Sequence, residues 1–250
     1  LYHYLQENMR YVSVQLGIGG WQTFDAKYVE ENKYGDCKAL TVYMKALLNY
    51  VGIPSYYTII KAGSKIEPIN PAIPSQQFNH VILAVPLEKD TLWLENTSNT
   101  TPFNYLGTFT QNRNVFVVNK DKSDFVKTPA LSKHDVLETR TVKFVPNEDN
   151  TLSANFENDY RGSAYESLFY YSNAVNSTKK AQIIREYYIE KGFELDKFTL
   201  SNPHRDTASM HLSYVAKASN FYKKYGNDVL MPLLPFSITD FENPEDRKLP

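Results

Sequence analysis

A length of 250 residues suits one large or two small domains, and a hydrophobic content of 42% is enough to fill ordinary cores. With 27 basic and 28 acidic residues the net charge is −1, which gives no field for holding a polyanion, so nucleic acid is not an expected partner. A single cysteine excludes an internal disulfide framework, and the longest apolar run, residues 81–87, is far below the ~18 residues a membrane-spanning helix needs.

Leu1, Tyr4, Leu5, Met9 and Val12 lie near helical spacing, so residues 1–16 predict a helix running into an extended piece at 11–14. The chain opens at Leu1 with no methionine or signal-like stretch, which reads as a fragment of a longer protein. Gly17-Ile18-Gly19-Gly20 breaks the pattern; no Gly-Lys-Ser/Thr follows, so a plain loop is expected rather than a phosphate cradle. Trp21 and Gln22 follow, then a short helix over 25–32.

Next comes Tyr34-Gly35-Asp36-Cys37-Lys38. Leu40, Tyr43, Met44, Leu47, Leu48 and Val51 mark one face of a helix that Gly52 and Pro54 stop. Asp36 is a good N-cap, which puts Cys37 at the first helical position. Unpaired N–H groups and the positive end of the helix dipole there favour a thiolate, the form that attacks carbonyls. The competing reading is a free cysteine packed as a small apolar residue.

Strands are predicted over 55–62, 78–85 and 91–97, with a loop over 63–77 of the length that often covers a site. The last two strands form an antiparallel hairpin around residues 87–90. If the turn centres between Leu87 and Glu88, His80 and Glu95 stand directly opposite each other on one face. A slip of one residue would put them on opposite faces. A carboxylate that holds an imidazole orients it and makes it a better base; the alternative is a strand-edge histidine with an incidental partner.

A strand over 115–118 leads to a polar stretch and a connector near Thr128 to His134. The boundary falls here, giving domains 1–130 and 131–250. The second part predicts strands over 136–145 and 151–157, helices over 164–172 and 179–191, strands over 207–217 and 219–225, and a polar tail from Thr239. Its acidic turn at 146–150 lacks the spaced ligands of a calcium loop. His204 and His211 sit in no metal-ligand motif, and no compact acid–base cluster is expected there. No metal and no cofactor is expected. This part reads as structural, or as an aid to partner selection.

Cys37, His80 and Glu95 together supply thiolate, base and orienter. Tyr34-Gly35-Asp36-Cys37-Lys38, Phe78-Asn79-His80-Val81 and Trp93-Leu94-Glu95-Asn96-Thr97-Ser98 resemble the three blocks of the transglutaminase-like superfamily. Within it the chain is similar to bacterial multidomain proteins that set such a domain between β-rich domains. Tyr11-Val12 with Gly17-Ile18-Gly19-Gly20, and Pro102-Phe103 with Gly107-Thr108-Phe109-Thr110 and Arg113, fit that subgroup.

The resemblance implies an α+β fold: a papain-like core of N-terminal helices packed on an antiparallel sheet, followed by a smaller β-rich domain with one or two helices. It implies Cys37 as nucleophile, His80 as base and acid, and Glu95 as the orienting acid. The substrate would be a peptide or peptide-like amide, with cell-wall peptide among the candidates, and the location extracytoplasmic. The sequence departs from the family at two positions: Glu95 stands where Asp is usual, and Ala39 where Asp is common. The Cys37 backbone N–H is the expected first oxyanion donor, and Gln22 or Trp21, on the preceding loop, a candidate second. The alternative is an inactive domain of the same fold that serves as a protein- or peptide-binding module.

Overall fold

The computed structural model describes residues 1–14, 17–64 and 66–231. The polar tail read from Thr239 lies outside the described residues. Among the described residues, six helices and thirteen strands make an α+β structure whose strand pairs are antiparallel, except for one two-residue parallel pair. The chain divides into two units, one of Leu1–Leu131 with Arg205–Thr207, the other of Ser132–His204 with the rest.

In the first unit, α1 (Tyr2–Asn8) precedes β1 (Arg10–Tyr11), and Gly17–Gly20 form one 3-10 turn. Helix α2 (Ala26–Asn32) is capped by Asp25, whose carboxylate accepts the Tyr28 N–H at 2.8 Å. It stops at Lys33, which takes a left-handed backbone, and β2 (Tyr34–Gly35) pairs with β1. Helix α3 (Cys37–Tyr50) follows, and Leu40, Tyr43, Met44 and Leu48 are buried on its apolar face.

Strands β3 (Tyr56–Ile60), β4 (His80–Pro86) and β5 (Thr91–Leu94), the short α4 (Gly107–Thr110), β6 (Asn114–Val117) and β7 (Asp124–Lys127) complete the unit. Their sheet has the order β5-β4-β3-β6-β7. β4 is buried on both faces. Leu83 and Val85 join the core under α3, while Ile82 and Ala84 join a second cluster with Ile60, Trp93 and Val115. That double burial is why residues 81–85 read as an unbroken apolar run rather than an alternating one.

In the second unit, β8 (Glu138–Pro146), β9 (Thr151–Arg161), α5 (Ser163–Ala174), α6 (Ser177–Tyr187), β10 (Phe193–Ser201) and β11 (Ser209–Ser219) build a sheet of order β10-β11-β9-β8. Leu152, Ala154 and Phe156 alternate with polar residues along β9, and Leu212, Tyr214 and Ala216 do so along β11. α5 packs on β9 and β11 and buries Tyr165 and Leu168. A small ribbon, β12 (Lys223–Tyr225) with β13 (Asp228–Leu230), follows.

β10 was not among the predicted strands. A register shift between Leu195 and Lys197 moves the inward parity from Phe193 and Leu195 to Phe198 and Leu200, so no single period-two pattern runs through it. The expectation that this half holds no acid–base cluster is also corrected. His211 Nδ1 lies 2.8 Å from Asp159 and Nε2 lies 2.9 Å from Glu157. His211 is 52 and 54 residues from these acids in sequence, and the β9–β11 ladder brings them together.

Candidate active site

The start of α3 is fixed by one carboxylate. Asp36 Oδ1 accepts the Ala39 N–H at 2.9 Å, and its Oδ2 is paired with the Lys38 ammonium. Cys37 is therefore the first residue of the helix and is half-buried. Ala39 is fully buried against Gly35: a Cβ added to Gly35 would stand 2.9 Å from the Ala39 Cβ. The small residue there fits a contact that has no room for a carboxylate.

His80 is the first residue of β4. Asn79 just before it accepts the Ala62 N–H at 2.7 Å and donates to the Ala62 carbonyl at 2.9 Å, which pins the strand entry. Phe109 packs edge-on to the imidazole, with ring centroids 5.5 Å apart. His80 Nε2 lies 2.8 Å from Glu95 Oε2. The other carboxylate oxygen of Glu95 accepts the Thr97 N–H at 3.1 Å and the Thr97 hydroxyl at 2.6 Å. Asn96 donates to Thr41 Oγ1 at 3.1 Å, which ties the acid-bearing segment to α3 one turn beyond Cys37. With Nε2 committed to Glu95, Nδ1 is the ring nitrogen left for chemistry with Cys37.

The hairpin register differs from the expected one. Leu83 pairs with Leu94 and Pro86 with Thr91, and the Leu87 N–H donates to the Asp90 carbonyl at 2.8 Å. The turn thus centres on Glu88 and Lys89, one residue later than expected. His80 and Glu95 are offset by two residues rather than directly opposed. A slip of two keeps both side chains on one face, and diagonal neighbours are still within reach of long side chains. The extra methylene of Glu95 suits that longer span.

Charge follows geometry. Burial disfavours the imidazolium of His80, but the Glu95 carboxylate and the hydrogen bonds to Cys37 and Glu95 outweigh it and push its pKa up to about 10. Burial likewise pushes the Glu95 carboxyl up. The His80 charge and the hydrogen bonds from His80 and Thr97 more than reverse that, so it sits below its usual range. At neutral pH the imidazole is therefore charged.

Cys37, His80, Asp36 and Lys38 line one cleft of about 490 Å³, with Tyr57 and Trp21 on its walls. Gln22 is exposed and is not among the residues lining it. The chain turns immediately after the Gly17–Gly20 turn, which puts Trp21 and Gly20 at the cleft instead. The loop before β4 reaches the cleft through Gln76. Among the described residues, no group of His, Cys, Asp or Glu is arranged to hold a metal ion, and no helix is long and apolar enough to cross a membrane.

No family model and no curated protein matches the chain. It is similar to a solved structure from Parabacteroides distasonis ATCC 8503 described as a "putative protease", with 11% identity and a TM-score of 0.35. The match covers 87% of this chain, which spans 44% of that one. A likeness at that level carries no argument about chemistry, which rests on the residues themselves.

Thr97, Asn96, Asn79, Phe109 and Tyr57 were not predicted as parts of the site. The first three flank the acid and the histidine directly in sequence, and that adjacency was the available signal. Phe109 stood only within the Gly107-Thr108-Phe109-Thr110 stretch, with no sign of its contact with His80, and Tyr57 had no signal.

Proposed function

We propose that the chain is a cysteine acyl-transfer enzyme of the transglutaminase-like, papain-like type, acting on a peptide-like amide through Cys37, His80 and Glu95. The observation that carries the reading is that a helix-start cysteine and a carboxylate-held, charged imidazole share one cleft. The Cys37 sulfur attacks the amide carbonyl, a C–S bond forms, and negative charge moves to the carbonyl oxygen. As that intermediate collapses, the C–N bond breaks and His80 gives its proton to the departing amine. A water then attacks the thioester while His80 takes its proton. The acid leaves, and the Cys37–His80 pair is restored. Glu95 holds the ring in its working orientation and stabilises its charged form. Thr97 in turn holds Glu95.

The test is incubation of the full chain with a library of peptides and cell-wall peptide fragments, with and without calcium, followed by mass spectrometry. Amide cleavage or an acyl adduct on Cys37, indifferent to calcium, is expected. Calcium-dependent glutamine–lysine crosslinks, or no turnover and no adduct with any probe, would contradict the reading.

A further inference from the structure

We propose that the phenol of Tyr57 is the side-chain donor to the oxyanion formed when Cys37 attacks a carbonyl, an inference that rests on the acyl-transfer reading above. Attack places negative charge on the carbonyl oxygen, and such sites hold it with preorganised donors. The backbone N–H of Cys37, at the start of α3 where N–H groups have no intrahelical partner, is one of them. A second must come from the walls of the cleft.

Most candidates there are committed or wet. Asn79 spends both ends of its amide on the Ala62 backbone. The Lys38 ammonium is held by Asp36. Trp21 is 72% exposed, and Ser13 and Gln76 are exposed as well, so water competes for their donors.

Tyr57 differs from all of these. It is half-buried on β3, and in the ladder it stands opposite Leu83 while Ile59 stands opposite Val81. Tyr57, Ile59 and Val81 thus face the cleft from one side of the sheet. The Tyr57 hydroxyl makes no hydrogen bond among the described residues. Burial, and then the nearby negative charge of Cys37 and Asp36, raises the phenol above its usual range. It therefore keeps its proton, and remains a donor, at any pH where the His80 imidazolium exists.

Tyr57→Phe removes the hydroxyl and keeps the ring. The full chain and this variant are compared with two probes, with the Cys37→Ala rate subtracted as background. p-Nitrophenyl acetate acylates Cys37 through a tetrahedral oxyanion, the C–S bond forming as p-nitrophenolate leaves. Iodoacetamide alkylates the same sulfur by displacing iodide from a saturated carbon, and no oxyanion forms. The expected result is an acylation rate lower by about 10²-fold with KM unchanged, and an iodoacetamide rate within about twofold of wild type. Equal acylation by both proteins would overturn the proposal. Parallel loss with both probes would also overturn it, by showing that Tyr57 acts on the thiol or on the cleft's shape. If wild-type Cys37 alkylates quickly yet acylates no faster than the background, the acyl-transfer reading itself has failed, and the role of Tyr57 fails with it.

Discussion

His80 and His211 each lie on an antiparallel strand and are hydrogen-bonded to carboxylates, at 2.8 Å to Glu95 just past β5 for the first and at 2.8 and 2.9 Å to Asp159 and Glu157 on β9 for the second. Their surroundings separate them. The His80 and Glu95 side chains are 9% and 8% exposed, whereas His211 is 33% exposed and its partners 55% and 61%. His80 shares a cleft with the chain's one cysteine, and His211 lies on an open sheet face. A histidine–acid pair alone is thus no mark of a site. Exclusion of water and a nucleophile within reach are what give the pair chemistry.

The largest expected effect tests that contrast directly. His80→Ala should lower turnover on p-nitrophenyl acetate by about 10²–10⁴-fold, the range of a lost general acid–base group, while His211→Ala leaves it unchanged. A comparable loss in His211→Ala would break the comparison.

Glu95→Asp comes next. Its shorter side chain cannot span the diagonal register as well, so turnover should fall about 10- to 10²-fold, as small misplacements of catalytic groups do. An unaffected Asp variant would show that the offset between the strands is not what Glu95 is matched to.

Gly35→Ala addresses the helix start. Its new methyl would meet the Ala39 Cβ at 2.9 Å, so α3 must shift. Denaturant unfolding should show a loss of about 1–3 kcal/mol, typical of overpacking, together with slower labelling of Cys37. Unchanged stability and labelling would mean that the contact relaxes freely.

The smallest effect concerns the two imidazoles themselves. The hydrogen bond to Asp159, against slight burial and with help from Glu157, raises the His211 pKa, and in this exposed setting salt should screen part of the rise. NMR titration in added salt should shift His211 toward 6.5 and leave His80 nearly unmoved. The linkage has a definite sign. His80 is raised from 6.5 to about 10, so its stabilising contribution is full below pH 6.5, declines above it, and is gone past about 10. Glu95 is lowered from 4.5, so its contribution is full above that value and is lost as pH falls below it. Removing His80 should therefore flatten the alkaline fall in stability more than removing His211 does.

Much of this was legible in the sequence where one local rule decides. Asp36 before an apolar face of helical period gave the helix start, and with it the place of Cys37. The strands that lead from His80 and up to Glu95 stood out by composition, and parity put the two side chains on one face even though the turn was centred one residue too early. What was hidden depends on contacts far apart in the chain. The bulge in β10 scrambled its alternation, His211 met its acids only through the β9–β11 ladder, and Gln22 stood next to the right place without reaching it. Tyr57 looked like an ordinary strand aromatic, because nothing local ties it to a helix start twenty residues earlier.

The central claim is that His80 makes Cys37 a nucleophile, and the rate of iodoacetamide alkylation at pH 7 measures it most directly. Wild-type Cys37 should react at least about tenfold faster than a cysteine in an unstructured peptide. His80→Ala should bring the rate back to that of the peptide, and His211→Ala should keep the wild-type rate. A wild-type rate equal to the peptide's and indifferent to His80→Ala would make Cys37 a packed structural residue and contradict the account.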